Sequence, residues 1–263
     1  MTEQLQSLVA YKGLFVALWL LLLLVGERLR PAVLPPIGGA GFRDHDWRRI
    51  GRNGGLWAIN AALSPLIVLQ LTEWASGHGL AFRPSWWSGG LGLALDILLL
   101  DFLIFWWHRF NHTVPLLWRF HEVHHLDRFL DSTTALRFHF GEVLLSAVAR
   151  AAVIILIGLP LSTVLVFETL LLLATIFHHS NLRLPAGLEQ GLSRLIITPS
   201  IHWVHHHAMR IDTNSNYGTL FSFWDRLFAT ASRTRRTPTM AIGVEGAAEQ
   251  PLIELLLRPF RMR

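Results

Sequence analysis

The chain of 263 residues contains no cysteine and a single lysine, Lys12. Without cysteine there is neither disulfide nor thiolate, so any metal must be held by nitrogen and oxygen ligands. Charge is scarce too. Asp, Glu, Lys and Arg make up 16% of residues against 52% apolar, and the mean hydropathy is +0.40. A soluble globular chain carries roughly 25% charged residues, so the deficit predicts one membrane-embedded domain over residues 1–263, built on spanning helices. The pI of 10.8 comes from arginines scattered among apolar runs, with no separate basic domain. That distribution argues against a nucleic-acid partner and fits loops that obey the positive-inside rule.

Five apolar segments follow. The first, 9–26, has its charges Glu27 and Arg28 after the apolar run, which predicts an uncleaved anchor and not a leader peptide. The second, 56–75, is interrupted by Asn60, Pro65 and Gln70. The third, 89–107, is about long enough for a 30 Å hydrocarbon core. The fourth and fifth, 143–159 and 161–177, are shorter and separated by Gly158-Leu159-Pro160, which reads as a tight hairpin. Together they predict an all-α integral membrane protein with about four to five embedded helices. Arg28, Arg30, Arg43, Arg48, Arg49 and Arg52 crowd the loop 27–53, whereas the loop 76–88 carries only Arg83. Arginine asymmetry therefore places 27–53 in the cytoplasm. Every histidine cluster then falls on the cytoplasmic side, in a helical cap holding a histidine-rich di-metal site, at what reads as a bacterial inner membrane. Within the spans, Arg150 and Glu168 are placed to pair across the hairpin. The tail 233–263 starts polar and ends in PLIELLLRPF, 251–260, expected to lie on the cytoplasmic leaflet with Arg258, Arg261 and Arg263 facing headgroups.

The histidines number fourteen, and their spacing tells more than their number. HRFNH places His108 and His112 one helical turn apart. HEVHH places His121, His124 and His125 at i, i+3, i+4, and IHWVHHH repeats that spacing with His202, His205 and His206. FHHSN adds His178 and His179. On helices such spacing aims several imidazoles at a single point. One metal takes four to six ligands, so eight or nine convergent imidazoles imply two metals. His45 and His78 stand alone and read as structural; His139 and His207 read as supporting or structural residues. Imidazole suits zinc, copper, iron and nickel. HEVHH by itself also satisfies the zinc-protease pattern H-E-x-x-H, with Glu122 as base, but a protease would leave most of these histidines unused. A metal transporter or sensor would thread its histidines through the bilayer, whereas here they gather at span ends. Two metals with open positions fit dioxygen activation better, on a substrate such as an unactivated hydrocarbon chain.

HRFNH, HEVHH and HWVHH, in this order and with spans before and between, resemble the membrane-bound fatty acid hydroxylase and sterol desaturase superfamily. DFLIFWWHRFNH is similar to that family's aspartate-led first box, with Asp101 in the aspartate position. DSTTALRFH, FHHSNLRLP, ITPSIHWVHH, NSNYG and WDRLFAT are similar to its later segments. The resemblance covers residues 92–230. Two departures stand out: Phe140 where related chains often carry proline, and Ala229 where glycine is usual. Both are expected to have small, local effects.

The resemblance implies a di-iron oxygenase that uses O2 to hydroxylate or desaturate a membrane lipid. Zinc is able to replace iron in such imidazole sites during purification. By position His108, His112, His121, His124, His125, His202, His205 and His206 carry over as ligands, with His179 as the ninth and His178 as its rival. Asp101, Asp131, Asn181, Asn216 and Asp225 carry over as candidates to support those ligands. In this reading Glu122 is a hydrogen-bonding or helix-surface residue, not a base. The chain shows no haem motif, no ferredoxin cysteines and no GxGxxG, so a separate electron donor (a ferredoxin, a cytochrome b5-like protein or a reductase) is implied. The lipid itself stays open among sterol, fatty acyl, ether lipid, hopanoid and carotenoid.

Overall fold

A computed structural model of the chain describes residues 3–34, 42–80 and 82–261, with side chains over 11–34, 47–80 and 82–261. Twelve α-helices and no strand form among the described residues; Pro31–Leu182 and Ile196–Phe221 are isolated bridges. Helix α1 covers Glu3–Leu29, α2 Phe42–Leu63, α3 Val68–Gly77, α4 Gly89–Thr113, α5 Pro115–His125, α6 Phe140–Ile157 and α7 Leu161–His179. Five short helices complete the cap: α8 Ala186–Leu192, α9 Pro199–His205, α10 Arg210–Thr213, α11 Phe223–Leu227 and α12 Leu252–Leu257.

Helices α4, α6 and α7 are each long and apolar enough to cross a membrane. Helices α2 and α3 add a fourth span if the pair, bent by 42°, is taken as one. The bend falls at residues 64–67, around Pro65, which cannot donate to a helical ladder. Helix α1 packs Leu23, Trp19 and Leu20 near Ile176 of α7 and turns Leu14, Leu18, Leu21 and Leu22 outward. The described residues thus hold three candidate spans, or four with the bent pair, in keeping with an all-α integral membrane protein.

The hairpin between α6 and α7 turns at Gly158, whose φ of 71° lies in the left-handed region that glycine adopts without strain. The backbone packs tightly there: a Cβ on Gly79 would sit 2.8 Å from the Cα of Gly158. Across the hairpin Arg150 Nη2 meets Glu168 Oε1 at 3.1 Å, as expected, and Lys12 Nζ of α1 joins the same carboxylate at 2.7 Å. The lone lysine thus pins α1 to the hairpin.

Two parts of the cap differ from expectation. The arginine-rich stretch 27–53 is not simply a loop, because α1 runs to Leu29 and α2 starts at Phe42. Arg49 is buried between Asp127, at 3.0 Å, and Asp131, and Arg52 faces Glu249 at 3.1 Å. Buried carboxylates draw these arginines inward from the lipid surface. Arg43 and His45 lie outside the described side chains. The tail differs as well. It runs over the cap, with Gly243 N–H donating to the His206 carbonyl at 3.1 Å, and α12 buries Leu255 beside Leu56, Val123 and Leu126. Arg258 does not face headgroups: its Nε meets Glu122 Oε2 at 2.7 Å. Arg261 pairs with Glu254, and Arg263 lies outside the described residues.

Candidate metal centre

The C-terminal ends of α4 and α7 meet α5 and α9, and the histidines collect where they converge. Pro115 and Pro199 open α5 and α9 at the first helical position, where proline's missing N–H costs nothing. The imidazoles form two separate groups. His108, His112, His121, His125 and His205 make the first; His124, His179, His202 and His206 make the second. Within each group the nearest ring nitrogens all lie within 4.8 Å of one another. His179 belongs to the second group. His178 lies outside both and meets His202 with 4.0 Å between ring centroids, the rings tilted by 46°.

The spacing does not aim each cluster at one point. On α5, His121 and His125 go to the first group and His124 to the second; on α9, His205 goes to the first while His202 and His206 go to the second. Helical geometry accounts for the split. At 3.6 residues per turn, positions i and i+4 differ by about 40° around the axis, whereas i+3 and i+4 diverge by about 100°. The α5 and α9 clusters thus each feed both groups, two rings to one and one to the other, whereas His108 and His112 both go to the first. The groups touch: the rings of His125 and His206 stack with centroids 4.3 Å apart.

Proton bookkeeping tests whether these residues fit metals. His124 Nδ1 lies 3.1 Å from the Arg137 carbonyl and His179 Nδ1 lies 2.7 Å from the Thr175 carbonyl. A carbonyl only accepts, so each Nδ1 carries the proton of its neutral ring and each Nε2 is a bare acceptor. Yet those two Nε2 atoms are 3.0 Å apart, and His202 Nε2 lies 2.9 Å from His179 Nε2. Bare acceptors at that distance repel unless a cation lies among them. An extra proton is disfavoured, because burial, reinforced by neighbouring imidazoles, holds His124, His202 and His206 well below the usual imidazole range. Nitrogens sharing an ion at right angles, each about 2.1 Å from it, would also be about 3 Å apart. The donor set fits a metal.

The first group shows the same pattern. His108 Nδ1 donates to the Tyr217 carbonyl at 2.8 Å and His205 Nδ1 to the Ser215 carbonyl at 2.6 Å. His121 Nδ1 faces Glu142 Oε1 at 2.8 Å. His205 Nε2 is buried with no partner, as are both ring nitrogens of His112. Burial, with repulsion from neighbouring rings, also depresses His125 and His205.

Of the supporting candidates, none contacts a histidine ring among the described hydrogen bonds; each holds a loop. Asp101 accepts from Leu220 N, Phe221 N and Trp224 Nε1. Asp225 accepts from Tyr217 N and Gly218 N, and Asp131 caps the turn 132–136. Asn181 bonds both backbone groups of Val33. Asn216 binds the Ile201 carbonyl through its side chain, but its φ of 53° matters more. That left-handed residue sits between Ser215 and Tyr217, the two carbonyls that receive His205 and His108. His139 caps α6, accepting from Gly141 N at 2.9 Å, and His207 pairs with Asp212 at 2.8 Å.

Sequence reasoning missed the groups that do touch rings: Glu142 and the carbonyls of Arg137, Thr175, Ser215 and Tyr217. Carbonyls carry no sequence signal. Glu142 had one, lying three residues after His139 in RFHFGE. The two departures also acquire physical meaning. Phe140 is the first residue of α6, a favoured proline position. Ala229 has a φ of 55°, the region that favours glycine.

A family model described as fatty acid hydroxylase matches residues 93–230. The chain is 27% identical over 196 residues to the ornithine lipid hydroxylase OlsE of Rhizobium tropici, covering 74% of this chain and 58% of that protein. It is 32% identical over 146 residues to the alkylglycerol monooxygenase of Danio rerio, covering 56% of this chain and 30% of that one. Identity to methylsterol monooxygenase 2-2 of Arabidopsis thaliana is 27% over 157 residues, covering 60% and 58%. The chain therefore spans less than two thirds of the length of these curated relatives. No solved structure matches it. Nothing in these comparisons supports the zinc-protease reading, and Glu122 is engaged by Arg258.

Proposed function

The chain belongs to the fatty acid hydroxylase family, and from that premise we propose that it is an O2-dependent di-iron enzyme that hydroxylates a membrane lipid, its histidine cage at the cytoplasmic face of the membrane. The observation that carries the reading is the pair of buried groups whose Nε2 atoms face one another at 2.9–3.2 Å, those of His124 and His179 as bare acceptors. Five imidazoles would hold one iron and four the other. When bound, the pair would supply the reduction of O2 and the removal of hydrogen from an unactivated C–H bond.

The protein's own part is positioning. The carbonyls of Tyr217, Ser215, Arg137 and Thr175 each keep a proton at Nδ1 and so fix which nitrogen faces inward. Glu142 does the same for His121 and adds a negative charge beside the first group. Burial of both groups excludes water from the reacting centre. The relatives' names favour insertion of oxygen over desaturation and point to polar membrane lipids as the substrate class; an ornithine lipid is the first to try.

Metal analysis with Mössbauer spectroscopy on anaerobically purified protein tests the metal assignment. Two redox-active irons per chain are expected; one metal, or two that stay redox-silent when iron is supplied, would overturn it. Lipid mass spectrometry of a host that makes ornithine lipid and expresses the chain tests the reaction. A lipid heavier by one oxygen atom is expected, while a lipid lighter by two hydrogens would replace hydroxylation with desaturation.

A further inference from the structure

Lipid hydroxylation has an electron requirement that the chain does not meet alone. Dioxygen takes up four electrons. One oxygen enters the C–H bond, which gives two electrons in becoming an alcohol. The other leaves as water, and its formation needs two electrons and two protons from outside. The question is where a reductant approaches the histidine cage.

A cavity of about 450 Å³ opens on the cap, with Ile201 and Val204 of α9 and Asn216 in its wall and Arg226, Arg235 and Arg236 among its lining residues. Its wall is close to both histidine groups. Ile201 and Val204 alternate along α9 with His202 of the second group and His205 of the first. Asn216 adjoins Ser215, whose carbonyl receives His205.

The rim is cationic. The segment 226–237, RLFATASRTRRT, contains four arginines and no acid. Arg226, Arg233 and Arg235 are exposed, and none of the four forms an ion pair among the described residues. Some arginines elsewhere in the cap are matched to acids: Arg49 to Asp127, Arg52 and Arg137 to Glu249, Arg258 to Glu122. Arg236 stacks on Trp203, 5.8 Å from its centroid, and its buried Nη1 has no hydrogen-bond partner. Nearby acids offset this charge only in part, Asp225 acting on Arg226 and Glu189 on Arg236, and neither Arg233 nor Arg235 forms an ion pair among the described residues. Asp225 and Asp212 are buried and satisfied by hydrogen bonds. Glu189 accepts from Ser200, and its attraction for Arg236 is opposed by Arg183.

We propose that this arginine-rimmed cavity behind α9 is the docking surface for a small acidic one-electron carrier protein, which delivers the electrons that the proposed hydroxylation requires. The inference rests on the oxygenase reading, because that reaction creates the need for electrons. Charge complementarity selects the partner: an unpaired cationic rim steers an acidic protein and raises its association rate.

The test uses the full chain in nanodiscs of zwitterionic lipid, with a reduced plant-type two-iron ferredoxin as probe. The variant carries Arg233→Glu and Arg235→Glu, both exposed side chains outside the histidine cage. At low ionic strength the ferredoxin association rate should fall by about tenfold or more, with little change in dissociation. The steep salt dependence of the unmodified protein should flatten. Reduction by dithionite, which needs no docking, should be unchanged. An association rate unaffected by charge reversal overturns the proposal. So does a variant that binds ferredoxin normally but no longer co-sediments with anionic vesicles, since the rim would then be a membrane contact. Ferredoxin association is read whether or not the protein holds iron, and dithionite reduction reports on the iron. Failure of the docking proposal is thus distinguishable from failure of the oxygenase reading.

Discussion

The two histidine groups share α5 and α9 but are held in different ways. In the four-membered group the protons of His179 and His124 are placed by nearby chain: His179 donates to Thr175 one turn earlier on its own helix, and His124 to Arg137 just beyond it. In the five-membered group His108 reaches across more than a hundred residues to Tyr217, His205 uses Ser215, and His121 uses the carboxylate of Glu142. One group is held by helices and an adjacent turn, the other largely by the loop 215–230 and one buried acid. The groups should therefore differ in how they lose metal. In the proposed cage the four-membered group would have no ligand to spare but rests on nearby supports, whereas the five-membered group would have one to spare and depends on distant parts.

The largest expected effect breaks the comparison by ligand number. His206→Ala leaves three imidazoles in its group, and we expect metal content to fall by one ion per chain with loss of hydroxylation. His112→Ala leaves four, and neither His112 nitrogen has a protein partner to disturb. Its metal content should fall less than that of His206→Ala. Elemental analysis of the two variants, purified side by side, decides the matter; equal losses would remove the distinction.

A second expectation isolates the acid. Glu142 Oε1 receives His121 at 2.8 Å and Asn111 Nδ2 at 3.2 Å, while Oε2 is buried without a partner. Glu142→Gln keeps the shape and removes the charge beside one group only. Losing such a partner costs about 10–100-fold in metal affinity. The Mössbauer signal of one iron should shift or weaken and that of the other should stay, with Glu142→Asp restoring part of it. A change in both signals would mean that the groups are not independently supported.

This contrast also sets what the sequence makes legible. Helical spacing within a cluster is local, so the three histidine boxes, the spans and the hairpin pair Arg150–Glu168 can be read directly. Assignment of rings to two groups follows from the 100° divergence of adjacent positions, which a one-face reading overlooks. The supports of the five-membered group are carbonyls brought in by tertiary packing, and a carbonyl has no residue identity to recognise. Asp101, Asp225 and Asn216 mark the right loop without touching a ring, because their work is to shape the backbone that does. Asp101 shows this best. Its carboxylate accepts three N–H donors from the 220–224 segment, and Asp101→Asn would turn an NH2 toward one of them. A stability loss of about 1–3 kcal/mol is expected, with the signal of the five-membered group broadened and the other sharp.

The smallest effect tests the same loop in the opposite direction. Ala229 is left-handed at φ 55°, in the turn where Thr230 N and Ala231 N both donate to the Asp225 carbonyl. The Thr230 carbonyl then receives Asn216 N–H at 2.9 Å, and Asn216 holds the two histidine-bonded carbonyls on either side. A left-handed L-residue costs about 1–2 kcal/mol, whereas glycine adds about 0.5–1 kcal/mol of unfolded-chain entropy. Relief of strain outweighs that entropy, so Ala229→Gly should stabilise the protein by a few tenths to about 1 kcal/mol. Thermal unfolding of the detergent-solubilised protein measures it. Because the loop supports only the five-membered group, metal retention there should rise on dilution with a chelator, and retention in the four-membered group should not move. Destabilisation by glycine would mean that the loop is held by its outer contacts and not by this turn, and the loop-based account of the five-membered group would fall with it.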